Sequence, residues 1–233
     1  MHLCRAFLKK IMGKNNIVVR YLVATLGLIL VALGVALSLK SNLGTAPVSC
    51  PPAVLNLKWT AISFGTFTWM MHIIFIILQM IMRRKVLDVH YLLQLLAAFV
   101  FGYLCDACIW LLKDVEITSY LIKIVLILAA VLLTAVGIRL EVISKAWILA
   151  GDKVVDVFSE VTGIKFSNAK IGEDVILVAL SAAFAWFCFG SPWGNGEHVV
   201  IREGTLLLAA LTGLCMKLTD PLVDKVFKPV LHA

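Results

Sequence analysis

Six predominantly apolar stretches, at 21–39, 64–82, 91–112, 120–140, 175–190 and 205–218, recur along the chain. About twenty such residues cross a hydrocarbon core as a helix. In lipid every backbone N–H and C=O must be satisfied within the protein, so runs of this kind fold as helices. The expected fold class is therefore all-α, a polytopic transmembrane bundle of six spans. The two runs nearest the C-terminus are the shortest, because Glu173, Asp174 and Lys217 crowd their ends. The residues are 61% hydrophobic and 15% charged, where soluble domains carry about a quarter charged residues. No soluble domain is left over, and 1–233 reads as a single integral membrane domain.

Charge sets the orientation. Arg5, Lys9, Lys10, Lys14 and Arg20 precede the first run, Arg83, Arg84 and Lys85 follow the second, and Lys145, Lys153, Lys165 and Lys170 follow the fourth. With six spans these all fall on one side, so the positive-inside rule makes both termini cytoplasmic. The net charge of +7 is thus topological, and no nucleic-acid partner is expected. Trp59, Trp110 and Trp193 then belong near the outer interface and Trp147 near the inner one. The basic stretch up to Arg20 runs straight into a full-length span without a small-residue cleavage site, so that span is expected to stay in the protein.

Between the first two runs lies the uncharged stretch 44–57, too short to span. Two readings stand for it. It is a re-entrant half-helix whose free backbone groups are covered by protein or by a water-filled cavity, or it is an amphipathic connector on the outer surface. Thr45 can act as N-cap, Pro47 suits the first helical turn and Asn56 can end the helix. Pro51 and Pro52 either distort the second turn or mark the true start.

Comparison of the chain with itself finds Gly34 recurring as Gly137, Gly44 as Gly151, Lys58 as Lys165, Gly65 as Gly172 and Gly102 as Gly213. Each half, 1–115 and 116–233, reads span, short glycine-started segment, span, span, and three spans per half put the halves in opposite orientation. Inverted repeats of this sort are a common plan of secondary transporters, with the site at the repeat interface. In the second copy Asp152 can cap, Gly163 can end the helix, and Val154, Val155, Phe158 and Val161 form one apolar face, which suits the cytoplasmic interface.

The run 34–47, followed by Ile62, Ser63, Phe64 and Gly65, and the stretch 95–106 with its Phe101-Gly-Tyr-Leu-Cys-Asp pattern, resemble the YczE/YitT-like family of bacterial integral membrane proteins. The second half departs, with Gly151-Asp-Lys-Val where the Gly-x-x-Pro pattern would repeat. The resemblance implies a bacterial inner-membrane protein of largely uncharacterised role, often suspected of transport. It implies no substrate and no catalytic residues.

An ionisable group within a span costs about 2.5–3.5 kcal/mol at the helix centre, so each is a functional candidate. Asp106 in the third span is expected to meet Lys123 in the fourth. With Gly44, Thr45, Pro47 and His72 they form the candidate solute-binding set. His72 and Gln79 share a helix face, with Gln94 at comparable depth. Arg139, Glu141, Glu173 and Asp174 form a candidate gating cluster at the cytoplasmic face. The glycine-rich loop 190–198, with Arg202, Glu203 and Gly204, either covers the entrance or is a plain outer connection, the plain reading being favoured.

Cys4, Cys50, Cys105, Cys108, Cys188 and Cys215 are scattered, and Cys105-x-x-Cys108 lacks the strand context of a redox motif, so packing is their expected role. No Walker A, G-x-G-x-x-G, H-E-x-x-H or G-x-S-x-G signature occurs. A protein that is not an enzyme is therefore expected, with no cofactor and no metal. Its expected partners are the lipid bilayer and a small solute or coupling ion, with the oligomeric state left open. Two functions are compatible with these features: a small-solute transporter, or a non-transporting scaffold that docks a partner through 151–163.

Overall fold

Helices begin where the apolar runs begin or earlier, and several outlast them. A computed structural model describes residues 17–84, 88–146 and 149–231. Arg5, Lys9, Lys10, Lys14, Cys4, Lys85 and Trp147 lie outside the described residues. In chain order the helices are α1 Ile17–Ser41, α2 Cys50–Lys58, α3 Phe64–Arg83, α4 Val89–Leu111, α5 Tyr120–Ser144, α6 Ala150–Thr162, α7 Phe166–Phe189 and α8 Glu203–Leu231. A 3-10 turn, Pro47–Ser49, leads into α2. All but α2 and α6 are long and apolar enough to cross a membrane, α8 over Glu203–Phe227. The all-helical, six-span class is as expected.

The fifth and sixth spans correct the expected boundaries. Helix α7 starts at Phe166 rather than at 175, and α8 runs on to Leu231. A hydropathy run stops at the first charges, whereas a helix continues as long as those charges find partners. Lys170 pairs with Glu173 and with Asp174 inside α7, and Asp220 and Asp224 of α8 pair with Arg139.

Helix ends follow local chemistry. The Ser63 hydroxyl accepts from Thr66 N–H at 3.1 Å and starts α3, and Asp88 accepts from His90 N–H to start α4. Gly163 ends α6 in the left-handed region at φ 73°, as its sequence position suggests.

At the centre α1 and α5 cross antiparallel: Gly27 lies on Gly137, and Gly34 on Ala130 and Thr134. A Cβ added to Gly27 would sit 2.8 Å from the Gly137 carbonyl oxygen, and one on Gly34 would sit 3.0 Å from that of Ala130. Small residues let the two backbones approach this closely. The remaining helices divide into two groups. A frame consists of α1 and α5 with α4 packed on α1 and α8 packed on α5. A bundle consists of α2, α3, α6 and α7, in which α3 packs on α6 and α2, and α7 packs on the same two. Frame and bundle meet mainly along one seam, between α3 and α4. There Gly65 and Gly102 face each other so closely that a Cβ on either would overlap the other's carbonyl oxygen.

The ends of α1 and α5 share a detailed pattern. Asn42 and Lys145 both leave the helix in the left-handed region, at φ 55° and 54°. Before them, Ser41 Oγ donates to Ser38 O at 2.6 Å and Ser144 Oγ donates to Glu141 O at 2.7 Å. The same hydroxyls accept from Leu43 N–H and Ala146 N–H. Only Gly34 and Gly137 among the glycine correspondences share this register. Gly44 lies in a loop at φ 109° whereas Gly151 lies inside α6, and Lys58 ends α2 whereas Lys165 precedes α7. Gly172 and Gly213 face open space, unlike Gly65 and Gly102.

Candidate functional site

Residues 44–57 enter the interior. Gly44 takes φ 109°, where a side chain would be strained and would strike Thr205 Oγ1. Thr45 N–H donates to Val200 O at 3.1 Å, and its hydroxyl lies 2.8 Å from Ser38 Oγ. Thr45 is thus fully buried but caps nothing: the 3-10 turn starts after Ala46 and α2 after Ser49, neither with a side-chain cap. Pro51 and Pro52 fall in the first turn of α2, where their missing N–H groups cost nothing. Asn56 does not end the helix either; its Nδ2 donates to Ile62 O at 2.8 Å while α2 continues to Lys58. Cys50, Pro52 and Val54 have almost no exposed surface. The segment is therefore covered by protein, and a connector lying on the surface is excluded.

The second short helix enters from the opposite end. Its amphipathic face had suggested an interfacial position for all of α6, yet Ala150 and Gly151 are buried, and Gln79 Nε2 donates to Ala150 O at 3.3 Å. Its apolar residues become exposed at the far end, where Glu160 meets Arg83 at 2.5 Å and Phe158 and Val161 face outward. The apolar face is deep at its start because the α3 residues beside it are themselves deep. A Cβ on Gly151 would lie 3.5 Å from Val48 Cγ2, 3.7 Å from His72 Cε1 and 3.7 Å from Phe75 Cε2. The N-terminal ends of the two short helices thus meet beside His72. Helix N-termini carry partial positive charge and free N–H groups.

A charged cluster adjoins this junction. Lys170 Nζ lies 2.7 Å from Glu173 Oε2, 3.5 Å from Asp174 Oδ1 and 3.6 Å from Asp152 Oδ1. Asp152 does not cap α6; it sits in the first turn, where an acid is stabilised by the helix dipole. One ammonium against three carboxylates leaves an excess of negative charge. Asp174 also lines a cavity of about 900 Å³ that opens between α7 and α8. Pro47 and Thr205 share its wall with the apolar Val178 and Leu206, and Arg202 lies at its rim, paired with Glu203 at 2.7 Å.

Two expected groupings do not form. Asp106 and Lys123 make no ion pair, because α4 and α5 lie on different sides of α1. Asp106 Oδ1 instead accepts from Gly65 N–H at 2.7 Å, tying α4 to the start of α3. The gating cluster is also divided. Arg139 makes a two-pronged contact with Asp224 and lies 3.5 Å from Asp220, both on α8. Glu141 points from another face of α5 onto Gly27, is 5% exposed, and its Oε1 has no hydrogen-bond partner among the described residues. Glu173 and Asp174 belong to the Lys170 cluster.

The structure therefore sets Pro47 and Asp174 in the wall of one cavity, packs Gly44 against Thr205 behind that wall, buries Thr45 beside Ser38, sets His72 at the helix junction, and places Asp106, Lys123, Arg139 and Glu141 elsewhere. His72 is 3% exposed, and its Nδ1 has no hydrogen-bond partner among the described residues. Gln79 and Gln94 satisfy each other in a buried reciprocal pair at 2.9 and 3.2 Å. Lys170 and Asp152 were not in the candidate set. The spacing of Lys170 to Glu173 and Asp174 on one helix face was the available signal.

The model of a family described as a family of unknown function, DUF6198, matches residues 18–221. The chain is also similar to the uncharacterized protein YyaS of Bacillus subtilis (strain 168), at 23% identity over 209 residues, covering 89% of this chain and 96% of that protein. No solved structure matches.

Proposed function

The chain belongs to DUF6198, a family of unknown function, and from the meeting of its two short helices we propose that it moves a small solute by alternating access, its two halves, 1–115 and 116–233, being inverted repeats. The observation that carries this reading is the convergence of two half-helix N-termini from opposite ends on Val48, Gly151 and His72. Discontinuous helices aimed at one depth are how many secondary transporters build a solute site. The matched endings of α1 and α5 and the antiparallel Gly27 and Gly137 crossing support an inverted relation between the halves. The likeness of 34–47 and 95–106 to the YczE/YitT-like family is in keeping with it, as is a bacterial inner-membrane location with both termini cytoplasmic.

In this reading Gly44, Thr45 and Pro47 shape the outer wall of the solute path, Asp174 offers charge at its floor, and His72 lines the junction. Asp106 is a positioning group for α3, and Arg139 anchors α8. The test is thiol labelling of Val48→Cys with a membrane-impermeant reagent applied from each side. Labelling from both sides is the expected result, since alternating access wets the junction from either face. Labelling from one side only, or from neither, would refute it.

A second reading, a non-transporting partner subunit, is favoured by one observation: Phe158, Val161, Ile164 and Phe166 are all exposed at the far end of α6. Val154 is buried and unavailable to a partner. A stoichiometric companion that co-purifies with the protein and is lost in Phe158→Ser with Val161→Ser would decide for it.

A further inference from the structure

We infer that the bundle α2, α3, α6 and α7 rocks within the frame α1, α4, α5 and α8, so that the α7–α8 seam closes when the α3–α4 seam opens. Exchanging the two halves turns each packed pair of helices into another: α1 with α4 into α5 with α8, α2 with α7 into α6 with α3, and α2 with α3 into α6 with α7. Each of those counterparts is present, whereas among the extensive contacts one is not. The tight α3–α4 seam should reappear between α7 and α8, yet these two helices scarcely touch. The cavity of about 900 Å³ stands in that place, walled by Val175, Val178 and Ala179 on one side and Leu206 and Ala209 on the other.

The same sequence plan thus holds one seam shut and its counterpart open. A rigid rotation of the bundle relative to the frame interconverts them, because the bundle's internal contacts and the α1–α5 crossing are unaffected. Contact between the two bodies elsewhere lies within one core cluster that holds Val31, Ala32 and Val35 of α1 with Cys50, Ala53 and Val54 of α2. Between helices in lipid there is little hydrophobic driving force, so two packings of similar energy are attainable. The outer end of α8 is held by Gly204 N–H donating to Leu43 O at 2.8 Å. Gly190, at φ 70°, ends α7 and leaves it free to pivot against that fixed point. Closure would empty the cavity above Asp174. This rests on the transport reading for its purpose, although its test does not.

The experiment is disulfide trapping in the full-length protein in liposomes. Ala179→Cys with Ala209→Cys is the reporting pair, since both replacements are small, and each single variant is the blank. A disulfide requires Cα atoms within roughly 7 Å. Oxidation should trap a substantial fraction of the double variant. Adding Trp69→Cys with Phe99→Cys, positions whose rings now lie 6.2 Å apart across the α3–α4 seam, should lower trapping at least several-fold once that seam is locked. Absence of the Ala179→Cys to Ala209→Cys disulfide, although each thiol reacts with a small reagent, would overturn the inference. So would trapping that is indifferent to the lock. Trapping and its suppression without any solute flux would keep the rocking motion and remove the transport reading.

Discussion

Replacing Gly137 by alanine tests the α1–α5 crossing on which the frame depends. The new methyl would sit 2.7 Å from Gly27 O and 2.7 Å from Val31 Cγ2. Carbon and oxygen rest normally at well over 3 Å, so the helices must part by roughly half an ångström, and a gap of that size forfeits about a quarter of each dispersion well along the seam. Overpacking of this kind costs about 1–3 kcal/mol. Alanine returns about 1 kcal/mol through its helix propensity, which leaves a net loss of about 0–2 kcal/mol. Gly172→Ala is the matched control. Nothing lies within 4 Å of its added methyl, so the propensity term acts alone and stabilises by up to about 1 kcal/mol. Thermal unfolding in detergent, followed by loss of the monodisperse peak, should rank Gly172→Ala above the parent and Gly137→Ala below it. At about 2–4 °C per kcal/mol for a chain of this size, the two variants should differ by several degrees. Gly137→Ala matching or exceeding Gly172→Ala would refute the close crossing.

Other substitutions separate the pairings that form from those that do not. Asp106→Ala leaves Gly65 N–H without its acceptor and should cost about 1.5–3 kcal/mol, whereas Lys123→Gln should leave the melting temperature unchanged; equal losses would restore an ion pair between them. Arg139→Gln removes the guanidinium that Asp220 and Asp224 meet and should loosen the end of α8, seen as faster limited proteolysis near the C-terminus, and unchanged cleavage would argue against that anchor. Glu141→Gln removes a buried carboxylate with no ion pair among the described residues, so the melting temperature should rise. A fall of several degrees would mean that the carboxylate is paired.

The legible part of this protein is the part set by distance along the chain. The helical class, the six spans and the uncharged stretch 44–57 follow from apolar length against bilayer thickness and from the need to satisfy each backbone group locally. Gly163 as a helix end and proline at the start of α2 are equally local, because backbone conformation acts on its own residue. The likeness between the ends of α1 and α5 is not legible in matched glycines, because it lies in a Ser41 and Ser144 hydroxyl and in an Asn42 and Lys145 backbone angle.

Tertiary structure alone decided which charges met. Asp106 and Lys123 sit at similar depth, yet α1 stands between their helices, so Asp106 turned to the N–H of Gly65. Arg139 and Glu141 are near neighbours in sequence but leave α5 on different faces, one to the acids of α8 and the other to Gly27. The start of α7 at Phe166 needed Asp152, from another helix, to help hold Lys170. A bilayer constrains each span in one dimension, its length. Which spans become neighbours, and which seam is left open, depends on how all of them pack together.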